Sequence, residues 1–92
     1  MVGVSDPAER LKQFRGRIDS LDGQILALLN ERASVALEIG ATKKTAGLPV
    51  VELSRERAVV EGMVGRNAGP LGNDAIERIY IAIMMEMRRL QD

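Results

Sequence analysis

From Leu11 to Ile39, seam positions recur at alternating spacings of three and four residues: 11, 14, 18, 21, 25, 28, 32, 35 and 39. All of them are apolar except Arg32. Such spacing marks an α-helix that packs lengthwise against another helix, sustained here for about four heptads. No proline interrupts the chain between Ala8 and Leu48. Ser5-Asp6-Pro7-Ala8-Glu9 reads as a helix start, with Asp6 as N-cap, Pro7 at the first helical position and Glu9 three residues after the cap. Gly47-Leu48-Pro49 supplies the stop. The pattern predicts a first helix of about forty residues, even though Gly16, Gly23 and Gly40 each weaken it by up to about 1 kcal/mol relative to alanine.

That helix creates a problem of length. At 1.5 Å per residue it measures about 55 to 60 Å, whereas a compact chain of this size has a radius of gyration of about 12 Å. Either the helix breaks, or a partner chain covers it. The 92 residues otherwise amount to one small domain over 1–92, with residues 1–5 expected to fray.

Two more helices complete the expectation. Ser54-Arg55-Glu56 opens a second that runs to about Arg66 and turns Val59, Val60 and Met63 inward. Asn67-Ala68-Gly69-Pro70-Leu71-Gly72 reads as a loop. Asn73 or Asp74 caps a third, which reaches the C-terminus with Ile76, Ile79, Tyr80, Ile83, Met87 and Leu90 on one side. The fold class is all-α: three helices with a very long first one.

Composition narrows the function. Hydrophobic residues are 46% of the chain but only Phe14 and Tyr80 are aromatic, so the core is aliphatic. Thirteen basic and thirteen acidic residues cancel, leaving no global field to hold nucleic acid or an anionic membrane. With no cysteine and no histidine, thiol nucleophiles, soft metal sites and the usual proton carrier near neutrality are all missing. No long apolar run or basic leader is present, so a soluble cytoplasmic protein is expected.

The informative residues are cations on apolar stripes. Arg32 sits in the seam between Leu28 and Val35, and its helix neighbours Leu28, Leu29, Val35 and Ala36 offer no carboxylate. Lys43 continues the stripe one turn past Ile39, beside Ile39, Gly40, Ala46 and Gly47. An unpaired cation in a dry seam costs on the order of several kcal/mol, so each needs water, a distant acid or an anionic ligand. The plain alternative is that both reach solvent or pair with Glu52, Glu56 or an acid of a partner chain. Arg15 has Asp19 at i+4, an ordinary surface pairing, and Arg55 beside Glu52 and Glu56 reads alone as a solvated charge cluster. Gln91 falls on the stripe of Ile83 and Met87, as a terminal amide or as a neutral donor to a ligand oxygen. Taken together, three arginines, a lysine, an amide and two acids suit a small dianion bearing a hydroxyl. The chemistry would then be done by shape and electrostatics, and a unimolecular rearrangement is one candidate.

The stretch Phe14-Arg15-Gly16-Arg17-Ile18-Asp19-Ser20-Leu21-Asp22, then Leu26-Ala27-Leu28-Leu29-Asn30-Glu31-Arg32, Ile39-Gly40 and Lys43, resembles the long first helix of the all-helical (AroQ-type) chorismate mutases. The likeness continues through Gly47-Leu48-Pro49-Val50, Ser54-Arg55-Glu56, Asn67-Ala68-Gly69-Pro70-Leu71 and Arg89-Leu90-Gln91, covering about residues 10 to 91. Each motif is weak alone, and their order and spacing are specific.

The resemblance implies an intertwined homodimer with two equivalent sites, each drawing an arginine from the other chain. It also implies the Claisen rearrangement of chorismate to prephenate, on the route to phenylalanine and tyrosine, with no cofactor and no metal. On that reading Arg15 of one chain and Arg32 of the other hold the substrate's carboxylates, while Lys43 and Gln91 donate to the ether oxygen. Glu52 and Glu56 receive the ring hydroxyl, and Arg55 supports a carboxylate and orients the acids. Met87 stands where many members carry a serine that helps hold a carboxylate, and a thioether cannot donate a hydrogen bond. Backbone, water or other groups must serve there.

Three alternatives accompany this reading. Mutases of 4-amino-4-deoxychorismate and isochorismate-pyruvate lyases are similar, although in the lyases the position of Glu52 is generally apolar. From another class, the chain would be a non-catalytic helical dimerisation or regulatory module, whose seam cations pair with acids. Some members of the family are fused to, or activated by, other enzymes of the aromatic pathway, so such an enzyme is a further expected partner.

Overall fold

A computed structural model describes residues 6–91. The fraying expected for residues 1–5 lies outside them. Three helices follow one another: α1 (Pro7–Ala46), α2 (Leu53–Arg66) and α3 (Asn73–Gln91). With 40 residues, α1 is unbroken. Of the two outcomes that its length allowed, breakage is the one that does not occur.

Both ends of α1 are fixed by local chemistry. Asp6 Oδ1 accepts the backbone N–H of Ala8 at 3.1 Å, so Asp6 caps the helix and Pro7 takes the first helical position, as the sequence implied. At the other end Gly47 adopts φ +72°, which a side chain would strain. Its N–H meets Lys44 O at 3.2 Å while Leu48 N–H meets Lys43 O at 2.8 Å. This is a Schellman motif, which satisfies two terminal carbonyls and turns the chain back.

α2 starts one residue earlier than the sequence suggested. Glu52 flanks its N-terminus without a side-chain capping bond. Val59, Val60 and Met63 are half-buried, and α2 has no fully buried residue. The loop to α3 is gathered by Asn67, whose Nδ2 donates to Leu71 O at 2.7 Å and to Asn73 Oδ1 at 2.8 Å, while its Oδ1 accepts from Gly69 N–H at 3.1 Å. The cap expected of Asn73 or Asp74 is not formed: Gly72 O accepts the N–H of Ile76 at 3.1 Å, so Asn73 is already the first residue of α3, its side chain engaged with the loop, and Asp74 follows inside the helix.

The expected inner face of α3 needs correcting. Ile76, Tyr80 and Ile83 are half-buried and Met87 is buried, but Ile79 and Leu90 are exposed and Met84 is buried in their stead. Residues 79 to 85 are apolar almost without interruption, so periodicity alone does not choose a face.

By its internal contacts the chain divides into two compact units, Met1–Arg32 and Ala33–Asp92. In the first, the described residues are the N-terminal part of α1, and Leu11, Phe14, Ile18, Leu21, Ile25 and Leu28 are 46–63% exposed. The second holds the end of α1 with α2 and α3, and its buried apolar side chains are Ala36, Met84 and Met87. No helix among the described residues is long and apolar enough to cross a membrane.

Candidate active site

Within the second unit, Ala36, Gly40 and Lys43 follow the i, i+4, i+7 spacing of one face of α1. Lys43 occupies the last turn, and the Schellman motif immediately beyond it brings the following stretch of chain back toward its side chain. Lys43 Nζ donates to Val50 O at 3.1 Å and lies 3.3 Å from Glu52 Oε1. Its side chain is only 17% exposed against 46% for Glu52, so the ammonium is the more desolvated partner. Two of the residues singled out in sequence are thus brought together, and the pairing is the one the plain reading of Lys43 anticipated.

Glu56 takes a different partner. Arg88, on α3, donates from its terminal nitrogen to Glu56 Oε1 at 2.5 Å and from Nε to Oε2 at 3.3 Å. The fork holds both carboxylate oxygens and fixes the rotamer, while each oxygen keeps a further lone pair for another donor. Sequence reasoning missed Arg88: the two residues are 32 apart and on different helices, and no local spacing points from one to the other. Arg55, expected to orient the acids, is exposed.

Gln91 ends α3 against α1. Its Nε2 donates to Ala36 O at 3.1 Å, and the residue is half-buried. Met87, one turn earlier, is 8% exposed and joins the small core. A groove of about 730 Å³ runs between α2 and α3, with Glu56 and Arg88 among its polar groups and Val60, Val64, Ile81 and Met84 among its apolar ones. In the first unit, Arg32 is half-buried and Arg15 exposed.

The arrangement in the second unit sets a lysine, a terminal amide and two acids, each acid paired to a cation, around helix ends. Such an arrangement can bind an anion and stabilise developing charge by fixed donors.

Residues 14–92 match the profile of chorismate mutase type II. The chain belongs to that family. Among its relatives is the bifunctional chorismate mutase/prephenate dehydratase of Aquifex aeolicus, 40% identical over 80 residues, which are 83% of this chain and 22% of that protein. The protein of the same description from Stutzerimonas stutzeri is 40% identical over 90 residues, 91% of this chain and 24% of the relative. This chorismate mutase domain therefore spans less than a quarter of the length of those relatives. Among solved structures, chorismate mutase (form II) from Thermus thermophilus superposes with a TM-score of 0.89 at 29% identity, covering 90% of this chain and 94% of that one. The all-helical family fold inferred from the motifs is the fold observed.

Proposed function

We propose that this chain converts chorismate to prephenate by an intramolecular Claisen rearrangement, without cofactor or metal. The observation that carries the reading is the family match over residues 14–92, which spans every residue assigned a role. Breaking the ether bond places negative charge on its oxygen as the new carbon–carbon bond forms. Lys43 and Gln91, fixed donors on α1 and α3, stabilise that charge more in the transition state than in the bound substrate. Glu52 and Glu56 receive the ring hydroxyl, and Arg55 supports a carboxylate. Holding the dianion in the compact conformer brings the reacting carbons together, a gain of proximity.

The carboxylates need further cations. Arg32 of the same chain and Arg15 of a second copy take that role in a homodimer. What supports the dimer is the first unit's apolar stripe, 46–63% exposed from Leu11 to Leu28, a continuous row of the kind that marks an interaction surface. Met87 is buried and has no donor, so these arginines carry more of the carboxylate binding than they would beside a serine. The acid at Glu52 favours a mutase over an isochorismate-pyruvate lyase. A cytoplasmic location, and an aromatic-pathway enzyme as partner, accord with relatives that join the mutase to prephenate dehydratase.

One observation favours a second reading. Lys43 already has an acid for a partner at 3.3 Å, as a non-catalytic helical module would require. Following the ultraviolet absorbance of chorismate, with prephenate identified by acid conversion to phenylpyruvate, separates the two. The expected result is rapid conversion that falls about 10²- to 10³-fold in Lys43→Ala, the usual loss for one transition-state donor. Undiminished turnover in Lys43→Ala contradicts the assignment of Lys43. No turnover in a folded wild-type dimer moves the reading to the amino-substrate mutase or the non-catalytic module.

A further inference from the structure

Gln91 reaches α1 through a notch in the helix surface. Ala36 is 5% exposed and Gly40, one turn later, is buried. The Gln91 amide donates to Ala36 O, a carbonyl that in a regular helix already accepts the N–H of residue 40 and has one lone pair left. A Cβ placed on Gly40 would lie 3.1 Å from Gln91 Cγ, 3.4 Å from its Cβ and 3.7 Å from its Cα. Only Cγ is nearer than ordinary van der Waals contact, so a methyl group there pushes the side chain aside near its base, by a few tenths of an ångström, and not merely at its flexible tip. By contrast, Gly62 in α2 has nothing within 4 Å of the same imagined atom.

We propose that Gly40 is a positioning residue: the lack of a side chain at this point of α1 lets Gln91 seat its carboxamide on the Ala36 carbonyl and so aim its second amide proton at the substrate. The inference rests on the reading of Gln91 as donor to the ether oxygen, given above. A primary amide has two N–H groups. The bond to Ala36 consumes one and fixes the plane of the amide, which fixes the direction of the other. A glycine in the interior of a 40-residue helix is unfavourable relative to alanine, so helix formation alone gives no reason for it here. Close approach of α3 does.

The test compares Gly40→Ala, Gln91→Ala, the double variant and Gly62→Ala in the full chain, by circular dichroism, thermal melting and steady-state kinetics with chorismate. Alanine favours helix at either glycine, so a purely conformational role predicts equal or greater helicity and unchanged catalysis for both. The proposal predicts that Gly40→Ala keeps its helicity and a KM within about twofold while kcat falls about three- to tenfold, the scale of a misplacement well below one ångström. Gly62→Ala keeps wild-type kinetics. In the Gln91→Ala background, where the crowded Cγ is gone, adding Gly40→Ala lowers kcat no further. Wild-type kcat in Gly40→Ala beside an impaired Gln91→Ala overturns the proposal and leaves the reading of Gln91 standing. An equal fall caused by Gly40→Ala with and without Gln91 also overturns it, because the effect then does not pass through the amide. Wild-type turnover in Gln91→Ala overturns the underlying reading as well. Should Gly40→Ala alone lose its helical signal, the comparison of Gln91→Ala with the double variant still decides between these outcomes.

Discussion

Both units of the chain carry apolar helix faces, and they bury them to very different degrees. In Met1–Arg32 the seam from Leu11 to Leu28 is about half open to solvent, whereas in Ala33–Asp92 Ala36, Met84 and Met87 fall to 5–8% exposure. The difference is one of available partners. A helix stripe states only that something must cover it, and the second unit contains three helical segments that can cover one another. The described part of the first unit is a single helical segment, which cannot bury its own stripe. Even the second unit leaves Leu53, Leu71 and Ile81 exposed, and α2 has no buried residue. A chain of this size with so few buried side chains has little stability to spare, and association is the usual remedy.

The largest expected effect comes from attacking the open stripe. Leu21→Asp removes an apolar group and places a charge where the proposed dimer is dry, at a cost on the order of several kcal/mol. Sedimentation is expected to show dissociation, with kcat/KM falling more than about a hundredfold because Arg15 no longer reaches a partner's site. A dimeric and fully active Leu21→Asp breaks the contrast between the units. A smaller effect is expected inside the second unit. Arg88→Ala removes the partly buried fork on Glu56 and is expected to lower unfolding free energy by about 1 to 2 kcal/mol in a urea titration. Its neighbour Arg89 pairs with Glu86 at 2.8 Å, but both side chains are more than 60% exposed, and Arg89→Ala is expected to cost less than about 0.5 kcal/mol. Equal losses in the two variants would show that burial does not set the worth of these pairs.

What could be read in the sequence was what is decided locally. Asp6 caps α1 and Gly47 ends it, because a cap needs only its own neighbours. The unbroken seam of α1 and its family motifs likewise lie along the chain, and so did the choice of Lys43, Glu52, Glu56 and Gln91 as residues to watch. Their partners were less legible. Glu56 and Arg88 meet across 32 residues, and Gln91 and Ala36 across 55, through packing that no short window records. Gly40 is the sharpest instance. Along the chain it reads as a weak point in a helix, and only the approach of α3 shows what its missing side chain permits. The inner face of α3 escaped for the opposite reason: too many of its residues are apolar for the pattern to choose Met84 over Ile79.

In the proposed dimer each site combines the second unit of one chain with Arg15 of another. Arg15→Ala and Lys43→Ala, each expected to be nearly inactive as a homodimer, test this when unfolded together and refolded as a mixture. Half of the random dimers are mixed, and each mixed dimer has one site with both changes and one with neither, so recovery of about a quarter of wild-type turnover is expected. A mixture no more active than its parents, with mixed dimers verified by mass, would contradict a site shared between two chains.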